Sequence, residues 1–227
     1  MFNNVALQIT KTPRVRRLFA AVALACAFGT LAHAQDVTPP VTPTLITPDA
    51  GNTAFAVGHA RGTQGYICLP TSAGSSTASW TVKPARPEAT LFLNFVGEDQ
   101  QIITHFLSPN EEPNHDATRP LPFGNATWQS STDSSKVWAQ VLNSNVVVAG
   151  TDPSCPNAGS IPCLLLQTVG SQSGPTGGTI LSKTTFVQRL NTYGGAAPAD
   201  GCSATTDVGN QALVPYTADY FFYRKSK

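Results

Sequence analysis

The sequence predicts an all-β protein, an antiparallel β-sandwich of jelly-roll-like form stapled by disulfides. Three observations predict it. Short β-branched and aromatic runs recur along the chain, cut by Gly, Pro, Asn and Ser. Beyond residue 35 no stretch sustains the i, i+3, i+4, i+7 apolar spacing of a helix, because Pro or Gly interrupts most candidates. Four cysteines, an even number, remain after the N-terminal segment is set aside.

That segment, residues 1–34, has the form of an export signal. Lys11, Arg14, Arg16 and Arg17 give a positive start, Leu18 to Leu31 a short apolar stretch, and Ala32-His33-Ala34 a small-x-small cleavage site. The mature chain is expected to begin at Gln35 and to be secreted, periplasmic or extracellular, with no transmembrane segment. Ala23-Leu24-Ala25-Cys26 resembles a lipoprotein box, but cutting there leaves an apolar stub. Arg16-Arg17 matches only part of a twin-arginine signal.

Removing 34 of 227 residues leaves 193, enough for one domain with a full core. All 13 acidic residues and 10 of the 14 basic ones fall in that part, a net charge of 10 − 13 = −3. This mild balance provides no basic footprint for nucleic acid, and no nucleic-acid partner is expected. Residues 35–54, with four prolines among Thr and Val between Asp36 and Pro48, read as an extended arm with no large packing surface. Residues 55–227 form the β-domain.

Within it the strand-like runs are Gln64–Leu69, Ala78–Lys83, Thr90–Val96, Gln101–Leu107, Ala126–Ser130, Lys136–Leu142, Asn145–Ala149, Cys163–Val169, Thr179–Leu190 and Leu213–Tyr223. Many short strands with turn signals between them suit a sandwich or a barrel, of which the sandwich is expected. The last run places Ala218, Tyr220 and Phe222 on one face and Asp219, Phe221 and Tyr223 on the other. A strand with aromatics on both faces is covered on both sides. Asp219 then needs a partner, and Arg189 is the expected one. Cys155 and Cys163 flank a turn-forming Pro156-Asn157-Ala158-Gly159-Ser160 run, so of three possible connectivities we expect Cys155–Cys163 and Cys68–Cys202.

Two motif groups carry a resemblance. Val187-Gln188-Arg189-Leu190-Asn191-Thr192-Tyr193-Gly194-Gly195, Gly201-Cys202 and Val214-Pro215-Tyr216-Thr217-Ala218-Asp219-Tyr220-Phe221-Phe222-Tyr223 lie toward one end, and Gly62-Thr63-Gln64-Gly65-Tyr66-Ile67-Cys68 toward the other. Together they resemble the terminal signatures of a secreted domain-of-unknown-function family, 3455, over about residues 55 to 223. His105 and Trp128 fall where that family has its mid-domain His and Trp. The resemblance implies an exported single-domain β-protein of bacteria and fungi and supports the Cys68–Cys202 bond, but brings no established reaction. Cys163 stands where the family pattern has Trp, and residues 98–124 are longer than expected. A malate dehydrogenase label carried by some relatives does not suit these residues, which contain no Gly-x-Gly-x-x-Gly between a strand and a helix.

The chemistry-bearing groups are few. His105 to Asp116 holds two His and three carboxylates, and His105, Glu111, Glu112 and His115 are the weak candidates for a metal site, without a recognised ligand spacing. A solvated loop is the simpler account, and neither metal nor cofactor is expected. His59, Arg61 and Gln64 sit among Gly58, Gly62 and Gly65, where a binding loop competes with a glycine-punctuated strand start. No Gly-x-Ser-x-Gly is present, and Gly170-Ser171-Gln172-Ser173-Gly174 has the wrong order. Trp80, Trp128 and Trp138 would stack on a sugar only from one exposed face.

The candidate binding residues are therefore His59, Arg61, His105, Trp128, Arg189 and Asp219. The expected function is a non-catalytic secreted or cell-envelope binding module for a glycan or small polar ligand. Two alternatives are an extracellular hydrolase or metal-dependent oxidoreductase, and a structural envelope protein.

Overall fold

Period-two alternation in the last strand sets the frame of the fold. In a computed structural model that describes residues 37–82, 88–108 and 125–226, side chains of 142–144 excepted, that strand is β9, Gln211–Lys225. Its Tyr216, Ala218, Tyr220 and Phe222 enter one apolar cluster, while Phe221 and Tyr223 enter another on the opposite face. The expectation of a strand covered on both sides holds. The signal-like residues 1–34 lie outside the described residues.

Eight further strands precede it: β1 (Asn52–Pro70), β2 (Ala78–Thr81), β3 (Glu88–Phe95), β4 (Glu98–Ser108), β5 (Asn125–Ser130), β6 (Lys136–Val147), β7 (Cys163–Gln172) and β8 (Phe186–Gly194). Each ladder is antiparallel, and from β3 onward each strand pairs with the next in the chain. β1 pairs both with β3 and, along most of its length, with β9. The sheet therefore closes into a ring of eight strands, and β2 hangs on the overhanging end of β1 at Ile67–Pro70. This replaces the two-sheet, jelly-roll-like arrangement expected from strand spacing. Spacing cannot tell a meander that closes on itself from two stacked sheets, whereas the β1–β9 ladder decides it and leaves the ring without free edges.

Two cores follow from closure. Inward residues of all eight ring strands, among them Ala60, Leu91, Ile103, Trp128, Leu164 and Phe222, fill the barrel. Small residues and glycines on β1 let neighbours approach: a Cβ at Gly62 would fall onto the Glu88 carbonyl and the Ala89 backbone. The second core lies outside the ring. Ile46, in a short 3-10 turn Thr44–Ile46, is wholly buried against Val147, Leu165, Phe186, Leu190, Phe221 and Tyr223. Gln188 Nε2 donates to the Ile46 carbonyl at 2.6 Å, and Tyr223 donates its hydroxyl to Gln188 Oε1 at 2.7 Å. The arm thus has a packing surface, contrary to expectation, and burying one such aliphatic side chain stabilises by roughly 1.5–3 kcal/mol.

One end of the barrel is plugged. Leu181, between β7 and β8, is fully buried in the inner core, and its N–H donates to Ser135 Oγ at 3.0 Å. Burial works against the charged Asp133 carboxylate beside it. The N–H of Ile180 and the donors of Ser135 and Ser130 outweigh this and hold that carboxyl at about 2. At the other end the two expected disulfides, Cys68–Cys202 and Cys155–Cys163, are formed, with Cα separations of 6.1 and 5.9 Å. No helix among the described residues is long and apolar enough to cross a membrane.

Candidate functional site

Strand parity sorts the six candidate residues into two groups of three that never meet. On β1, His59 and Arg61 point outward while Gly58, Ala60, Gly62, Gln64 and Tyr66 share the inner face. Asp219 on β9 is outward as well, whereas His105 on β4, Trp128 on β5 and Arg189 on β8 turn inward.

The outer group is a surface network. His59 Nδ1 donates to Asp219 Oδ1 at 2.6 Å, and Asn191 Nδ2 donates to Asp219 Oδ2 at 2.7 Å. Asn191 sits at a bulge in β8 with φ of 50°, a left-handed conformation that Asn tolerates. Arg61 donates to Asp99 Oδ2 at 2.6 Å and lies over the Phe92 ring, 5.1 Å from its centre. That bond from Arg61 holds the Asp99 carboxyl below its usual range. Asp219 does not pair with Arg189. In the β8–β9 ladder Asp219 stands opposite Leu190 and Arg189 opposite Tyr220, so the two side chains leave the barrel wall on opposite sides.

The inner group is polar and aromatic. The His105 ring stacks on Trp128 with centroids 4.3 Å apart and planes 7° from parallel. Its Nδ1 donates to the Thr127 carbonyl at 2.9 Å, which leaves Nε2 as the acceptor nitrogen of a neutral ring. Burial pushes its pKa down to about 4; the bond to Thr127 opposes this and the charge of Arg189 adds to it. Tyr220 closes over both rings, 5.5 Å from His105 and 5.7 Å from Trp128. Tyr216 and Tyr220 join their hydroxyls at 3.1 Å, and Tyr66 donates to the Gly195 carbonyl at 2.6 Å. Burial raises the pKa of both Tyr66 and Tyr216, against the pull of Arg189, so all three groups lie within reach of its charge.

Arg189 itself is half-buried, and its Nε and Nη2 both donate to the Pro162 carbonyl, at 3.2 and 2.8 Å. Among the described residues the ion pairs are His59–Asp219 and Arg61–Asp99, so Arg189 faces the interior with no carboxylate partner there. Among the described residues two inward-facing buried donors, Trp128 Nε1 and Gln64 Nε2, have no hydrogen-bond partner, and neither do the buried side-chain atoms Asn125 Nδ2, Thr168 Oγ1 and Thr184 Oγ1.

The barrel carries the motifs of a known family on one continuous fold. The family described as a protein of unknown function, DUF3455, matches residues 49–224. The chain belongs to the DUF3455 family. Neither a curated protein nor a solved structure matches it. In this DUF3455 chain the matched span begins just before β1 and runs to the end of the β1–β9 ladder, so the family covers the closed ring.

Several sequence expectations do not assemble. The three tryptophans share no exposed face: Trp128 is inside the barrel, Trp138 is buried on the outer face and bonded to Ser108, and Trp80 donates to the Gly201 carbonyl. His105 is committed to Thr127 within the barrel. Glu111, Glu112 and His115 lie outside the described residues, and among those described no three His, Cys, Asp or Glu side chains gather as metal ligands. The tyrosines at 66, 216 and 220 were not among the candidates, although period two from Ala60 and Ala218 places each on the inner face.

Proposed function

We propose that this protein is an exported, non-catalytic binding module that takes a small polar ligand at the Arg189 end of its barrel. The observation that carries this reading is the surplus of donors inside. Among the described residues the inward-facing Trp128 Nε1 and Gln64 Nε2 are buried without acceptors, and the half-buried Arg189 guanidinium, also facing inward, has no carboxylate. An unmade buried hydrogen bond costs about 1–3 kcal/mol, a cost that a ligand supplying acceptors would offset. Aromatic walls with a few convergent polar groups are the usual make-up of a small-molecule site. The protonation states favour binding over proton transfer: His105 stays neutral down to about pH 4, and burial keeps Tyr66 and Tyr216 protonated at neutral pH. Two disulfides suit an oxidising compartment.

The test is calorimetric titration of the chain from Gln35, disulfides intact, with neutral sugars, amides and carboxylates, alongside Gln64→Leu and Trp128→Phe. Saturable binding that both variants weaken without loss of folding is the expected result. If no compound binds, or if both variants bind as the wild type does, the interior is not a ligand site. Turnover of a bound compound would overturn the non-catalytic part.

A further inference from the structure

We infer that the ligand carries a carboxylate, which docks on the outer edge of the Arg189 guanidinium. This rests on the binding reading above and adds the ligand's chemical class.

A guanidinium has five N–H donors in one plane. Pro162 O takes the Nε donor and one donor of Nη2, and no other bond to Arg189 is made among the described residues. Of the three donors left over, one on Nη1 and the second on Nη2 point the same way and form the end-on fork that matches two oxygens of a planar carboxylate. The Pro162 carbonyl also fixes the orientation of that fork, so little rotamer freedom remains to be lost on binding.

No carboxylate of the described chain competes for it. Asp99 and Asp219 are outside the barrel in their own ion pairs, Glu88 is exposed, and Asp133 is engaged at the plugged end. A partly buried cation without a counter-charge is unfavourable in the empty protein and favourable once an anion arrives. The groups within reach of its charge, Tyr66, Tyr216 and His105, are neutral, so none of them neutralises it.

The probes are acetate against acetamide and benzoate against benzamide, pairs of equal shape that differ in charge, with inorganic phosphate as the other oxyanion. Each is titrated into the disulfide-intact chain from Gln35, with tryptophan fluorescence as a second readout. At least one carboxylate should bind about 10- to 100-fold more tightly than its amide and more tightly than phosphate. Arg189→Gln should remove that preference. Arg189→Lys keeps the charge without the flat fork and should lie between, which tests the geometry even if Arg189→Gln folds poorly. Equal binding of acid and amide, or a preference unchanged in both variants, overturns the carboxylate while leaving the binding reading intact. Phosphate bound more tightly than either carboxylate also overturns it. Neutral sugars or amides that bind where no carboxylate does would refute this inference alone; silence from every compound refutes both.

Discussion

Acidifying the protein should expose His105 as a source of instability well before its carboxylates titrate. In the folded barrel the imidazole takes its proton at about 4, against 6.5 for the unfolded chain, because a charged ring there would be stripped of water and would face the charge of Arg189. Between those values the unfolded state binds the extra proton. Stability is therefore complete above 6.5 and is lost as pH falls through 4, by about 3 kcal/mol from this one group. Urea unfolding followed by tryptophan fluorescence at pH 7.5, 6, 5 and 4 measures it, with His105→Gln as the reference that cannot gain the charge. The variant is expected to start lower, having lost the ring stack, but to decline less, so the two stability curves converge by about 3 kcal/mol. The Asp133 carboxylate, held at about 2, adds a separate loss of about 1–2 kcal/mol only between about 3.8 and 2. Parallel curves for wild type and His105→Gln from pH 7.5 to 4 would refute the reasoning, because the imidazole would then not be buried as a neutral ring.

Three other perturbations separate the parts of the fold. Ile46→Ala should cost about 2–5 kcal/mol and open the arm to protease between residues 37 and 54, since Ile46 is wholly buried in the outer core; unchanged proteolysis would mean that the arm docks by other contacts. Breaking Cys155–Cys163 with paired serines should cost about 2.5 kcal/mol and breaking Cys68–Cys202 about 5, because the bridged separations are 8 and 134 residues; equal losses on unfolding would contradict the loop-length account. Val96, 87% exposed, has φ of 53° in the two-residue turn with Gly97, an unfavourable conformation for a β-branched residue, so Val96→Asn should raise stability by about 1 kcal/mol in thermal unfolding.

Much of the wall was legible because local patterns wrote it. The inner and outer faces of β9 follow from alternation alone, and β5, β7 and β9 begin within two residues of the expected runs. The first half of β1 was missed because Gly58, His59, Arg61 and Gly62 imitate a loop, whereas glycine here lets β3 come close. Thr179–Leu190 reads as one strand in the sequence, yet Leu181 forms the plug, Ile180 is exposed and β8 starts at Phe186. Conversely Lys136–Leu142 and Asn145–Ala149 are largely one strand, β6, broken in register between Val141 and Val146. At the site, alternation places residues within a strand but carries no information on the phase between strands. That is how Arg189 and Asp219, one register position apart in the β8–β9 ladder, were matched although the wall divides them.

Closure through β1 and β9 has a kinetic consequence. Asn52 pairs with Lys225, a separation of 225 − 52 = 173 residues, and the ladder runs on to Ile67 with Gln211. A ring in which the earliest strand must wait for the last has high contact order, so its closing step is slow and pays its loop entropy late. Until β9 arrives, β1 and β8 both present bare strand edges, and the inner aromatics stay open to water and to other chains. A chain that stops short of β9 should therefore accumulate as an aggregation-prone open sheet rather than as a smaller barrel, while the Cys68–Cys202 bond, whose second cysteine precedes β9, ties the end of β1 to the segment that leads into the closing strand.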